Sequence, residues 1–166
     1  MHQHFDEIHD LMEQAFPESE RRIYEEQKEL LDHPNYELVI KRNDHDKIIA
    51  FMAIWNLETC RFIEHFAVDS SMRGHGIGGK FMSEIMEDTS KPIILEVEHP
   101  DTTNAKRRIS FYENLGYHLN EVDYAQPPLR EGEAEVPLYV MSYPEQVPSH
   151  EFDDYKNDIF STLYDM

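Results

Sequence analysis

Four of this chain's six glycines sit in one run of six residues, Gly74-His75-Gly76-Ile77-Gly78-Gly79. An apolar, strand-like run ends just before them at Val68, and a helical stripe of Ile77, Phe81, Met82, Ile85 and Met86 follows. Glycine lacks a Cβ, so peptide N–H groups can close around a ligand there, and a helix N-terminus aimed at the same spot favours an anion. Any fold of this chain must therefore deliver strand, cradle and helix in that order, with a phosphate as the natural guest.

Composition narrows the surroundings. With 166 residues and 40% hydrophobic content, one compact α/β domain with a real core is expected. The formal charge of −19 at pH 7 argues against nucleic acid or an anionic membrane as partner, because phosphate contacts need clustered Lys and Arg. A single phosphorylated cosubstrate remains compatible, since Arg73 and Lys80 bracket the glycines and Lys106, Arg107 and Arg108 follow downstream. No apolar stretch has the length of a membrane span and Met1–Asp10 lacks the apolar centre of a secretory signal, so a cytoplasmic protein is expected. A lone Cys60 fits a reducing compartment, and no Cys/His spacing suggests a metal site.

The periodicity predicts two amphipathic helices before residue 34, split by Pro17, then strands over Tyr36–Lys41, Lys47–Trp55 and Arg61–Val68. After the glycine helix come a buried strand to Val97, a helix over Ala105–Leu115 stopped by Gly116, and strands over Tyr117–Tyr124 and Val136–Tyr143. The long irregular connection between the last two is of a kind that often serves function. Residues 1–148 read as the domain and 149–166 as an amphipathic tail, with Phe152, Tyr155, Ile159 and Leu163 at helical spacing; it suits docking on its own domain or on a second copy in a homodimer.

The glycines satisfy three templates. Gly74-His-Gly76-Ile-Gly-Gly79 fits the dinucleotide pattern, but five residues separate it from the strand and it does not open the domain. Gly74 to Gly79-Lys80 fits a phosphate-binding loop, but Phe81 stands where the magnesium-binding Ser or Thr belongs. The third is Arg73-Gly74-His75-Gly76-Ile77-Gly78 after Phe66-Ala67-Val68-Asp69, with Phe111-Tyr112-Glu113-Asn114-Leu115-Gly116-Tyr117 downstream of the strand Ile93–Val97. These two elements, in this order, resemble the GNAT superfamily of N-acetyltransferases over roughly Tyr36 to Tyr143. The chain departs from that pattern in starting almost on a helix, where the family begins with a strand, and in placing Asn104 eight residues before Tyr112.

The resemblance implies a mostly antiparallel mixed α/β sheet, splayed between the Val68 and Ile93 strands, with helices on both faces. It implies acetyl-CoA as cosubstrate, its pyrophosphate on Arg73, Gly74, His75, Gly76, Ile77, Gly78 and Gly79 and its pantetheine arm along Phe66, Ala67 and Val68. Acyl transfer to an amine needs a proton acceptor. Glu64, a carboxylate in a central strand, is the candidate, directly or through water, as in the similar strand of spermidine/spermine N-acetyltransferases. Tyr112 stands where the family's general acid to the CoA thiolate lies. His65 should face away from Glu64, and Glu96 and Glu98 alternate out of the next strand without an assigned role. The acceptor would be a small-molecule or peptide amine entering near the first helices and the Gln126-Pro127-Pro128 loop; Arg21 and Arg22 suit one that bears a carboxylate, and the excess acid suits a polyamine. A non-catalytic acyl-CoA-binding sensor would keep the same groove.

Overall fold

The computed structural model describes residues 4–72, 74–87 and 90–164. Helix α1 (Phe5–Ala15) buries Phe5, Ile8, Leu11 and Met12 along one stripe, with Asp6 and Glu7 at its positive end. Helix α2 (Tyr24–Glu29) is short and flanked by single 3-10 turns, the second ending at His33-Pro34. The sheet strands are β1 (Tyr36–Arg42), β2 (Ile48–Asn56), β3 (Arg61–Val68), β4 (Ile93–Val97), β5 (His118–Gln126) and β6 (Val136–Tyr143). Helix α3 (Ile77–Met86) joins β3 to β4, α4 (Thr103–Asn114) joins β4 to β5, and α5 (Ser149–Leu163) closes the chain. Among the described residues no strand precedes α1.

The strands run in the order β1-β2-β3-β4-β6-β5, every neighbouring pair antiparallel except β3 and β4. Eight successive residues of β2, Ile48–Trp55, are buried, which an alternating one-faced strand could not be. Helices cover both faces: α1 and α5 pack on one through Ile8, Met12, Phe152 and Ile159, and α3 and α4 on the other through Phe81, Met82 and Ile109. Each such fully buried side chain contributes about 1.5–3 kcal/mol of transfer free energy. The tail therefore docks on its own domain, and Thr59 fastens it by donating from N and Oγ1 to Asp158 Oδ2 at 2.8 and 2.6 Å.

Two irregularities decide where a ligand can sit. Strands β3 and β4 pair only at Arg61/Ile93, Phe62/Ile94 and Ile63/Leu95, after which they part. In β3 the register against β2 slips by one residue, Ala53 facing His65 and Ile54 facing Ile63, so that Glu64 is bulged out between them.

Candidate functional site

The cradle forms as its residues dictate. Asp69 ends β3, and its carboxylate accepts from Ser71 N and Oγ at 2.9 and 2.7 Å, turning the chain out of the sheet. Gly74 and Gly76 adopt φ of 85° and 73°, a region that side chains rarely enter, and Gly76 caps α3. A Cβ at Gly74, Gly76 or Gly79 would meet nothing within 4 Å, so the backbone there borders free volume. At Gly78 a Cβ would make ordinary contacts with β3 side chains, 3.4 Å from Val68 Cγ2 and 3.6 Å from Phe66 Cζ, which leaves little room for anything larger than a methyl group. A cavity of about 280 Å³ results, lined by Phe66, Val68, Met72, Phe111, Ile77 and the four glycines. Free backbone at a helix N-terminus beside an apolar wall fits a pyrophosphate with an attached chain. His75 is exposed within this loop, and Ala67, buried in the other core layer, lines the second cavity together with Phe66 and Val68. Arg73, expected to contribute, lies outside the described residues.

Phe66 and Val68 also line a second cavity of about 160 Å³, in the gap where β3 and β4 part. Its walls bring together Glu64, Glu96, Tyr112, Arg108 and, from the end of α1, Phe16. Glu64 and Tyr112, assigned roles on sequence grounds, thus share one cavity. A smaller cavity of about 60 Å³ continues from it, sharing Phe16, Glu64, Glu96 and Arg108 and adding Glu20, His65, Glu98 and Gln126.

Glu64 has fixed partners. Arg22 Nη1 donates to its Oε1 at 3.0 Å, Nη2 lies 2.9 Å from Oε2, and Trp55 Nε1 donates to Oε1 at 2.9 Å. The Glu64 side chain is only 4% exposed and that of Arg22 8%. Burial pushes this carboxyl up, but Arg22 outweighs it and holds it below the usual carboxylate range. Arg22, read from sequence as a contact for an acceptor carboxylate, is spent on Glu64, and Arg21 Nε donates to Phe16 O at 2.9 Å. Burial, with Glu64 and Glu20 nearby, pushes the Glu96 carboxyl up to about 8, although Tyr124 OH donates to Oε2 at 2.5 Å and Arg22 acts the other way. Burial raises the Tyr112 phenol to about 12, so it keeps its proton through the neutral range.

His65 departs from its expected place. Strand alternation puts it opposite Glu64, but the bulge leaves both bordering the same cavity, with His65 stacked edge-on against Phe16 at 4.8 Å. Burial lowers its pKa. Glu96 went unassigned although the signal that marked Glu64, one carboxylate inside an apolar strand, is equally present in Ile93-Ile94-Leu95-Glu96-Val97. Phe16 showed only as the last apolar residue of the first helical stripe, and Glu20, in the turn after Pro17, carried no signal.

Across the far side of Arg22, the connection between β5 and β6 folds back against the start of α2. Arg130 pins it by donating from Nε to Arg21 O at 2.9 Å and from Nη2 to Arg22 O at 3.3 Å. Gln126 reaches the inner cavity, whereas Pro127 and Pro128 line a separate open cleft with Arg22 and Tyr164. Among the described residues no helix is long and apolar enough to cross a membrane, and no group of three or more His, Cys, Asp or Glu could hold a metal ion.

Comparison with known proteins places this geometry. The family model for acetyltransferases of the GNAT type matches residues 4–117. A GNAT-family protein of Bacteroides thetaiotaomicron superposes with a TM-score of 0.90 at 32% identity, over 99% of this chain and 93% of that one. An aminoglycoside 6'-N-acetyltransferase solved with coenzyme A shares the fold at TM-score 0.60 and 18% identity, over 86% of this chain and 92% of its own. The ribosomal-protein-S18-alanine N-acetyltransferase of Escherichia coli does so at 0.56 and 19%, over 81% of each chain. Among curated proteins there is no match.

Proposed function

The chain belongs to the GNAT acetyltransferase family, and from that premise we propose that it transfers an acetyl group from acetyl-CoA to a primary amine by direct attack. The observation that carries this reading is that Phe66 and Val68 line two cavities at once, an anion cradle and a gap holding two carboxylates and a phenol. The backbone from Gly74 to Gly79 and the N-terminus of α3 would hold the pyrophosphate, with Arg73 as a further contact. The edge of β3 from Phe66 to Val68, no longer paired with β4, leaves backbone groups for an amide-bearing arm. When bound, the thioester supplies an activated acyl carbon and a thiolate leaving group. The amine nitrogen forms the new C–N bond as the C–S bond breaks, so one proton must leave nitrogen and one must reach sulfur.

Tyr112 offers its phenolic proton to the departing sulfur. Glu64, kept anionic by Arg22, orients the incoming amine or a bridging water and draws off its proton. A carboxylate with a depressed pKa is a weak final acceptor, and Glu96 in the same cavity, with its carboxyl near 8, is the better place for that proton to rest. Activity should therefore rise with pH through about 8 as Glu96 ionises.

Free-thiol release with acetyl-CoA and a panel of primary amines tests the reading. Thiol should appear only with an amine present, and Tyr112→Phe or Glu96→Gln should lower kcat at least tenfold while acetyl-CoA still raises the melting temperature. A protein stabilised by acetyl-CoA that releases no thiol with any amine would be a sensor of acyl-CoA and not an enzyme.

A further inference from the structure

The smaller cavity gathers hydrogen-bond acceptors among the apolar side chains of Phe16, Val97 and Leu138, with Arg108 and Gln126 also in its wall. Four carboxylates border it, Glu20, Glu64, Glu96 and Glu98. Glu64 is balanced by Arg22, and Glu98 has Arg108 at 3.6 Å, but that pair is about half exposed and worth little. Among the described residues no Lys or Arg lies within ion-pair distance of Glu20 or Glu96. Glu20 is pushed up by its own burial and by the nearby Glu98, which Arg108, also in the cavity wall, offsets only in part.

The histidine gives an independent sign of a missing guest. His65 Nε2 lies 2.7 Å from the backbone oxygen of Glu20, which can only accept, so the ring proton is on Nε2. Nδ1 then carries a lone pair. This atom is buried without a hydrogen-bond partner, in a residue only 3% exposed that lines the same cavity. A buried acceptor left without a donor costs on the order of 1–3 kcal/mol, which a bound N–H group would recover.

We propose that this cavity is a subsite for a second ammonium group, and that the acceptor is a small linear diamine or polyamine. The inference rests on the acyltransferase reading above. The reacting nitrogen must be neutral when it attacks and belongs in the larger cavity beside Tyr112. A monoamine seated there would leave Glu20 without an ion-pair partner and His65 Nδ1 without a donor. A second –NH₃⁺ has three donors and no acceptor, which matches a wall of carboxylates and one imidazole lone pair. The bulge at Glu64 makes the match possible, because it turns two consecutive residues of β3 to one cavity and so joins the subsite to the reaction cavity.

The test compares α,ω-diaminoalkanes of three to eight carbons with n-alkylamines and amino alcohols of equal length, and with an aminosugar dication as a bulky counterpart. Two readouts are used on the full chain: thiol release with acetyl-CoA, and calorimetric binding in the presence of CoA. At least one linear diamine should exceed its monoamine partner about tenfold or more in kcat/KM and in affinity. In Glu20→Gln/Glu98→Gln that ratio should fall by about tenfold, since both changes keep shape and remove charge. A ratio within about twofold in the parent protein, or one that survives in the double variant, overturns the proposal, as does a preference for the aminosugar over every linear diamine. If no amine releases thiol, the acyltransferase reading fails, and the calorimetric ratio still decides whether the subsite takes a second ammonium.

Discussion

At the scale of single residues, two buried carboxylates in one cavity are held in opposite states by their neighbours. Removing one partner of the Arg22–Glu64 pair leaves the other charge buried and alone, which costs about 3–5 kcal/mol. Glu64→Leu and Arg22→Met should each lower the unfolding free energy by that order in urea titrations, and the double variant should lose far less than their sum. Glu96 behaves in the reverse sense. Its carboxyl ionises in the unfolded chain near the ordinary glutamate value of 4.5 but in the folded protein only near 8, so the folded state holds the extra proton between those limits. Its stabilising contribution is complete below about 4.5 and is lost as pH rises through about 8. Calorimetric melting of Glu96→Gln against the parent should show a difference that grows in the variant's favour by roughly 5 °C or more between pH 5 and 8.5. The carboxylates themselves are legible in the sequence as acids inside apolar strands. Their states are not, because Arg22 stands 42 residues before its partner, on another element.

At the scale of elements, the strand–cradle–helix unit and the strands flanking it follow closely from local pattern, and the glycines divide by role. Gly76→Ala forces a side chain into φ 73° at the cap of α3 and should cost about 1–2 kcal/mol and weaken acetyl-CoA binding severalfold by calorimetry. Gly78→Ala meets only ordinary contacts at 3.4–3.7 Å and should keep binding within about threefold, whereas Gly78→Val should wedge α3 from β3 and lose it. Sequence periodicity located β3 correctly and still misplaced His65, since a bulge alters which face a residue takes without changing the residues that mark the strand. The slip is set by pairing with β2, between Ala53 and Ile54.

At the scale of the whole molecule, α5 is part of the core. Ending the chain after Pro148 removes Phe152 and Ile159 from beneath the sheet and the Asp158 contact from Thr59, so the truncated protein should lose cooperative melting and aggregate in light scattering. Its amphipathic stripe showed in the sequence, but the same stripe would serve a second copy equally well. The glycine cradle, the order of strands and helices and the resemblance to acyl-CoA enzymes were all determined by the sequence, because φ preferences, hydrophobic period and turn chemistry act within a few residues. The resemblance already implied the parting of β3 from β4, whereas tertiary structure alone decided the bulge at Glu64, the pairing of Arg22 and the assembly of Glu20, His65, Glu96 and Glu98 around one small space. Those features depend on strand register and on charges brought together from distant segments, and both are settled only when the sheet closes and water leaves the gap.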